Sequence, residues 1–227
     1  LIDDTKVSDK AFNWHAQFKE AFSQGGFDIV IGNPPYGLVF DLKDKTFIEE
    51  NLISFRRNND LYVAFIEKGL SILKKEGLFS FIVPNTYLIG DYFETLRGII
   101  LNKSKILDIL DFGTNQIFKD PNVFNSIFIL QEENIEQKRM NNSLKYYKVP
   151  FNENLEFSDI NKISNIFEIN QQQLINSVWS PKNNLIERLD KSKDKLIDEI
   201  CYVKDVGFNY WSVGRGKIRG GSIGSKV

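Results

Sequence analysis

The chain has 227 residues, with 29 Lys and Arg against 30 Asp and Glu and a formal net charge of −1. Its 42% hydrophobic and 26% charged content suits a globular protein with one real core and a smaller second piece. One Cys and one His exclude a disulfide framework, a thiolate zinc cluster and a multi-histidine metal site, and no apolar run approaches the roughly 20 residues of a membrane span. Leu1-Ile2-Asp3-Asp4 has no basic segment and no apolar core of a signal peptide, which suits a cytoplasmic chain; the missing Met suggests a fragment. With almost no net charge, a nucleic-acid partner requires a local basic surface.

In chain order, residues 11–23 read as a helix carrying Phe12, Phe18, Ala21 and Phe22, and Gly25-Gly26 end it. Residues 27–31 read as a short buried strand, stopped by Gly32 and two prolines. Residues 38–58 read as a loop with one short helix over the strand's end, and Asn58-Asn59-Asp60 as a helix N-cap cluster. A helix is predicted over 61–75, closed by Gly77. The near-continuous apolar run at 78–83 predicts a strand covered on both faces, so strand, helix and strand make a βαβ unit. A helix over 90–101, a strand over 105–110, a loop over 111–121 and a strand over 123–130 come next, with an edge strand over 144–149. Residues 150–180 are polar and rich in Asn and Gln and read as a linker with one poorly periodic helix. Residues 181–196 read as helical, and from Cys201 the chain turns to aromatics, glycines and basic residues.

The residues that carry chemistry stand at the end of the first strand, in Asn33-Pro34-Pro35-Tyr36. Open α/β sheets place ligands at the carboxyl ends of their strands. The prolines stiffen the loop and offer no N–H, leaving carbonyls free. The Asn33 oxygen and a neighbouring carbonyl can accept two hydrogen bonds from one amino group, and Tyr36 offers a flat face. The set suits a planar ring with an exocyclic amine. Here the sequence resembles the S-adenosylmethionine-dependent amino-methyltransferases, above all the adenine-N6 DNA methyltransferases. The lead-in from Phe12-Asn13-Trp14 to Val30 is similar to that of large restriction–modification methylases, in which a nuclease, a methylase and a target-recognition region share one chain.

That resemblance implies an α/β fold: the second half of a Rossmann-like methyltransferase sheet, ending in an antiparallel hairpin and followed by the start of a target-recognition domain. Residues 1–149 would be the catalytic part, 150–180 a linker and 181–227 the beginning of target recognition. Asn33, Pro34, Pro35 and Tyr36 would be catalytic, with Asn33 also beside the cofactor, S-adenosylmethionine. Tyr36 and Phe118 would hold the flipped base of double-stranded DNA; Phe118, one of 19 phenylalanines, reads equally well as a core residue. Arg215, Lys217 and Arg219, in a glycine-rich stretch, would contact DNA. No metal is implied here, and a nuclease fused upstream fits the resemblance. The family's glycine turn for the cofactor precedes its catalytic motif by many residues, and only 32 residues precede Asn33, so that half is expected upstream.

Two other patterns carry less. Gly214-Arg215-Gly216 with Gly220-Gly221 mimics a dinucleotide fingerprint but has no strand before it or helix after it. Glu136-Gln137-Lys138, with Asp111 upstream, mimics a nuclease site but lies in a solvated stretch. A protein-glutamine or RNA-guanine amino-methyltransferase stays open as an alternative, as does a catalytically incomplete DNA-binding fragment.

Overall fold

A computed structural model of the chain describes residues 12–37, 42–55, 60–118, 123–152 and 164–181, with isolated positions between 153 and 163. The chain divides into two compact units, Leu1–Pro181 and Lys182–Val227, and all described residues belong to the first. Most of the helix expected over 181–196, and the basic stretch beyond it, lie outside the described residues.

Six strands form one open mixed sheet in an α/β fold. They are β1 (Phe27–Gly32), β2 (Leu73–Pro84), β3 (Ser104–Asp111), β4 (Asn125–Glu132), β5 (Ser143–Lys148) and β6 (Asn165–Asn170). Their order across the sheet is β1-β2-β4-β3-β5-β6. β1 runs parallel to β2, and β5 parallel to β3; β4 is antiparallel to both its neighbours. The expected antiparallel hairpin is β3–β4. Helices α1 (Trp14–Gln17) and α2 (Lys19–Ser23) precede β1, and α3 (Leu42–Asn51) comes after it. α4 (Leu61–Ser71) and α5 (Glu94–Lys103) cross between strands, and α6 (Glu136–Met140) comes after β4.

α4 and α5 share one core on one face of the sheet. Tyr62, Val63, Ile66 and Leu70 of α4, with Leu96 and Ile100 of α5, meet Phe79, Phe81 and Val83 of β2 and Phe128 and Leu130 of β4. Gly69 lets α4 sit flat on Phe79, because a methyl group there would collide with that ring. The other face is less covered. Ile29 and Ile31 of β1 are 62% and 77% exposed, and Leu78 of β2 is 36% exposed. The expectation of a buried β1 and a β2 covered on both faces is thus corrected. β1 is an edge strand, and only its Val30 packs into the core.

Three further boundaries differ from the sequence reading. The 11–23 helix is two short helices broken at Phe18, with no buried residue in either, and their aromatics Trp14, Phe18 and Phe22 pack on Phe27. α4 ends at Ser71, short of Lys75. The Ile72 carbonyl is taken by the Phe27 N–H at 2.9 Å and Leu73 pairs with Phe27, so the chain enters the sheet early. Gly26, at φ +127°, makes that approach feasible, since a side chain there would strike the Ile72 carbonyl. Residues 165–170, expected within a linker, form β6 against β5, so β5 is not the edge strand it was expected to be. Gln171 is fully buried and anchors the chain as it leaves β6: its Oε1 accepts the Ile106 N–H at 2.9 Å and its Nε2 donates to the Ser104 carbonyl at 2.9 Å. Trp179, 1% exposed, then packs on Tyr87.

Candidate active site

β1, β2 and β3 point the same way, so their carboxyl ends share one edge of the sheet with the amino end of β4. Along this edge lie the motif loop 33–37 after β1, Asn85 after β2, the loop 112–118 after β3, and Asn125 at the start of β4.

The motif loop is held from both ends. Pro34 is buried, while Asn33 and Pro35 are exposed, so the chain is anchored with the Asn33 amide outward. Gly37 adopts φ +103°, and its carbonyl accepts the N–H of Leu61, the first residue of α4, at 2.7 Å. Tyr36 is half-buried. Its hydroxyl donates to the Ile82 carbonyl at 3.1 Å and accepts from Asn125 Nδ2 at 3.2 Å. Its ring meets Tyr62 edge-on, with centroids 6.4 Å apart and planes at 83°. Burial pushes the Tyr36 hydroxyl above its ordinary pKa, which keeps the proton on it at neutral pH.

Further along the edge, at the end of β3, the Asp111 carboxylate forms a buried hub. Oδ1 accepts Asn85 Nδ2 at 3.0 Å and the Gly113 N–H at 2.9 Å, and Oδ2 accepts the Tyr146 hydroxyl at 3.0 Å. Burial, reinforced by the Asp111 charge, raises the Tyr146 hydroxyl far above its ordinary value. Asn115 then fixes the next turn, donating to the Phe112 carbonyl at 2.7 Å and the Pro150 carbonyl at 3.0 Å. Phe118, three residues on, is 42% exposed. It is therefore not one of the core phenylalanines. A cavity of about 480 Å³ opens on the same edge, walled by Asn85, Asp111, Gly113, Phe124 and Lys148.

Asn33, Pro34, Pro35, Tyr36 and Phe118 thus stand on one edge of one sheet. Arg215, Lys217 and Arg219 lie outside the described residues. Sequence reading passed over Asn85, Asn125 and the structural part of Asp111. Their one signal was position: each is a polar residue at a strand terminus on the ligand-bearing edge. Asp28 of β1 is exposed and paired with Lys74, which lowers its pKa. The acid-x-Lys stretch is helix α6, and its Lys138 pairs with Glu133 at 3.6 Å. Among the described residues there is no cluster of three or more metal-ligating side chains, and no helix long and apolar enough to cross a membrane.

Comparison with known proteins places this sheet among restriction–modification enzymes. The type II restriction enzyme and methyltransferase RM.Eco57I of Escherichia coli is 26% identical over 180 residues, 77% of this chain but 17% of its own length. The type II methyltransferase M.TthHB8I of Thermus thermophilus is 33% identical over 88 residues, 35% of this chain and 21% of its own. The chain therefore spans about a fifth of each of these relatives. Of solved structures, the type IIG restriction endonuclease BpuSI superposes with a TM-score of 0.51 at 14% identity, over 69% of this chain and 21% of that one. A protein of a type I restriction–modification system does so with a TM-score of 0.51 at 12% identity, over 85% of this chain and 46% of that one. Identities this low speak for the fold alone. Residues 1–118, just over half of the sequence, match the family model described as Eco57I restriction-modification methylase, and the chain belongs to that family.

Proposed function

We propose that this chain is the catalytic portion of a DNA methyltransferase in a restriction–modification system, acting on the exocyclic N6 amine of adenine. The observation that carries this reading is the motif loop, with Asn33 exposed, Pro34 buried and Tyr36 fixed by two hydrogen bonds at the carboxyl edge. The adenine leaves the duplex and enters between Tyr36 and Phe118. Asn33 Oδ1 and the Pro34 carbonyl accept the two N–H bonds of its amine. The nitrogen lone pair is thereby localised, and the positive charge that develops on nitrogen is stabilised, as an oxyanion hole does for the opposite charge. Tyr36 holds the ring at reacting distance.

The family implies S-adenosylmethionine, which supplies the electrophilic methyl group. The described residues do not form a cradle for it: among them no strand ahead of the motif loop leads through a glycine turn into a helix, and the edge of β1 away from β2 has no partner. The open edge of β1, with Ile29 and Ile31 exposed beside it, fits instead a cofactor-binding half that adds a strand to β1 and covers the bare face. In this reading residues 1–149 are the catalytic part, and 181–227 begin target recognition on DNA. The last 24 residues carry five Lys and Arg against one Asp. Replacing Arg215 and Arg219 together in the full-length enzyme is expected to lower the salt slope of duplex binding by about 2; an unchanged slope removes that stretch from the DNA interface.

The direct test offers tritiated methyl donor and the full-length enzyme to four acceptors: duplex DNA, the same duplex lacking adenine amines, protein, and RNA. Label on the first alone is the expected result. Label on a protein glutamine or on RNA guanine, which the same motif serves in related enzymes, would replace the reading.

A further inference from the structure

Asn125 is fully buried at the first position of β4. Its backbone is placed by the sheet. It faces Pro84 across the β2–β4 ladder, and its carbonyl accepts the Phe112 N–H at 3.2 Å. The side chain has a different task. The single proton of the Tyr36 hydroxyl goes to the Ile82 carbonyl, so the hydroxyl oxygen can only accept from Asn125. That fixes the amide with its NH₂ group toward Tyr36 and leaves Oδ1 buried with no hydrogen-bond partner among the described residues. A buried amide oxygen without a donor destabilises a fold, and an apolar side chain of similar size avoids that cost. The bond to Tyr36 is what the amide contributes. The bonds to Ile82 and Asn125 pin the Tyr36 hydroxyl from two sides, and losing either frees the far end of the ring to shift.

We propose that Asn125 is a positioning residue for the reaction: it sets the tilt of the Tyr36 ring on which the target base stacks. It also ties the motif loop to the hairpin whose connecting loop carries Phe118. This inference rests on the methyltransferase reading and adds to it a residue 89 positions from its partner.

The test uses the full-length enzyme and duplex DNA. Asn125→Leu is expected to leave the thermal midpoint unchanged or raised while lowering kcat/KM about tenfold, the worth of one neutral hydrogen bond. In a Tyr36→Phe background, Asn125→Leu is expected to have almost no further effect, because the hydroxyl it serves is gone. Should the Leu variant fail to fold, Asn125→Ala carries the same cycle. Equal slowing in both Tyr36 backgrounds would show a merely structural role and overturn the proposal. So would wild-type rates for the Asn125 variants where Asn33→Ala is inactive, and in that case the methyltransferase reading stands. Full activity of Asn33→Ala itself would remove the reading of the site, and this proposal with it.

Discussion

Asn33 is the group whose loss reads most directly on chemistry. It is exposed, and the anchoring of its loop comes from Pro34, Tyr36 and Gly37, so Asn33→Ala removes an acceptor without loosening its neighbours. The expected outcome is a single-turnover methyl-transfer rate lower by a hundredfold or more, about 3 kcal/mol, with duplex affinity kept. A near-normal rate rules out the role. Tyr36→Ala, and more weakly Phe118→Ala, are expected to weaken base capture by about 1–3 kcal/mol. A 2-aminopurine at the target position reads this out, and identical fluorescence for all three proteins counts against stacking. Asn33 and Tyr36 were legible because they stand together in one four-residue motif, where two prolines make the conformation local. Asn85, Asp111 and Asn125 were not. Each is an ordinary polar residue until the sheet brings β2, β3 and β4 side by side, and Asn125 meets Tyr36 across 89 residues.

At the scale of elements, legibility tracked apolar density. β2 and α4 each put three or more large apolar side chains into the core, β3 and β4 two apiece, and each was visible in sequence. β6 was not, because as an edge strand it packs only Ile169 against the core and leaves Ile166 54% exposed. The end of α4 was misplaced because Leu73 continues the helical phase, while the ladder with Phe27 claims it for the sheet. Where β3, β4 and α6 meet, Glu133 serves as a joint and is 4% exposed. It accepts the Ile135 N–H at 3.0 Å and pairs with Lys105 at 3.3 Å and Lys138 at 3.6 Å. The Ile135 N–H first, then the two lysines, lower its pKa. A carboxyl with a lowered folded pKa adds stability above its unfolded value, about 4.3, and loses it as the pH falls through the folded value. Glu133→Gln should therefore lower the melting temperature at neutral pH, with the gap to wild type narrowing as acid is added. A gap independent of pH would assign Glu133 a packing role only.

For the whole molecule, the uneven cover of the sheet decides what this chain does alone. One face carries α4 and α5; the other leaves Ile29, Ile31 and Leu78 to solvent beside the open edge of β1. Exposed edges of this kind invite pairing. Calorimetric titration of the isolated chain with S-adenosylmethionine is expected to show no micromolar binding, and a clear micromolar isotherm would place the cofactor cradle within these residues. The position of β4 has a consequence for synthesis. β2 and β3 are neighbours only through β4, which is made after both. In the folded sheet β2 and β3 stand roughly 10 Å apart, two strand spacings, with β4 between them. Their inward edges stay unsealed until Glu132 clears the exit tunnel, so protease resistance of stalled nascent chains should rise in one step at that length. Of these three strands the last in time is the middle one in space, a keystone between two strands already made.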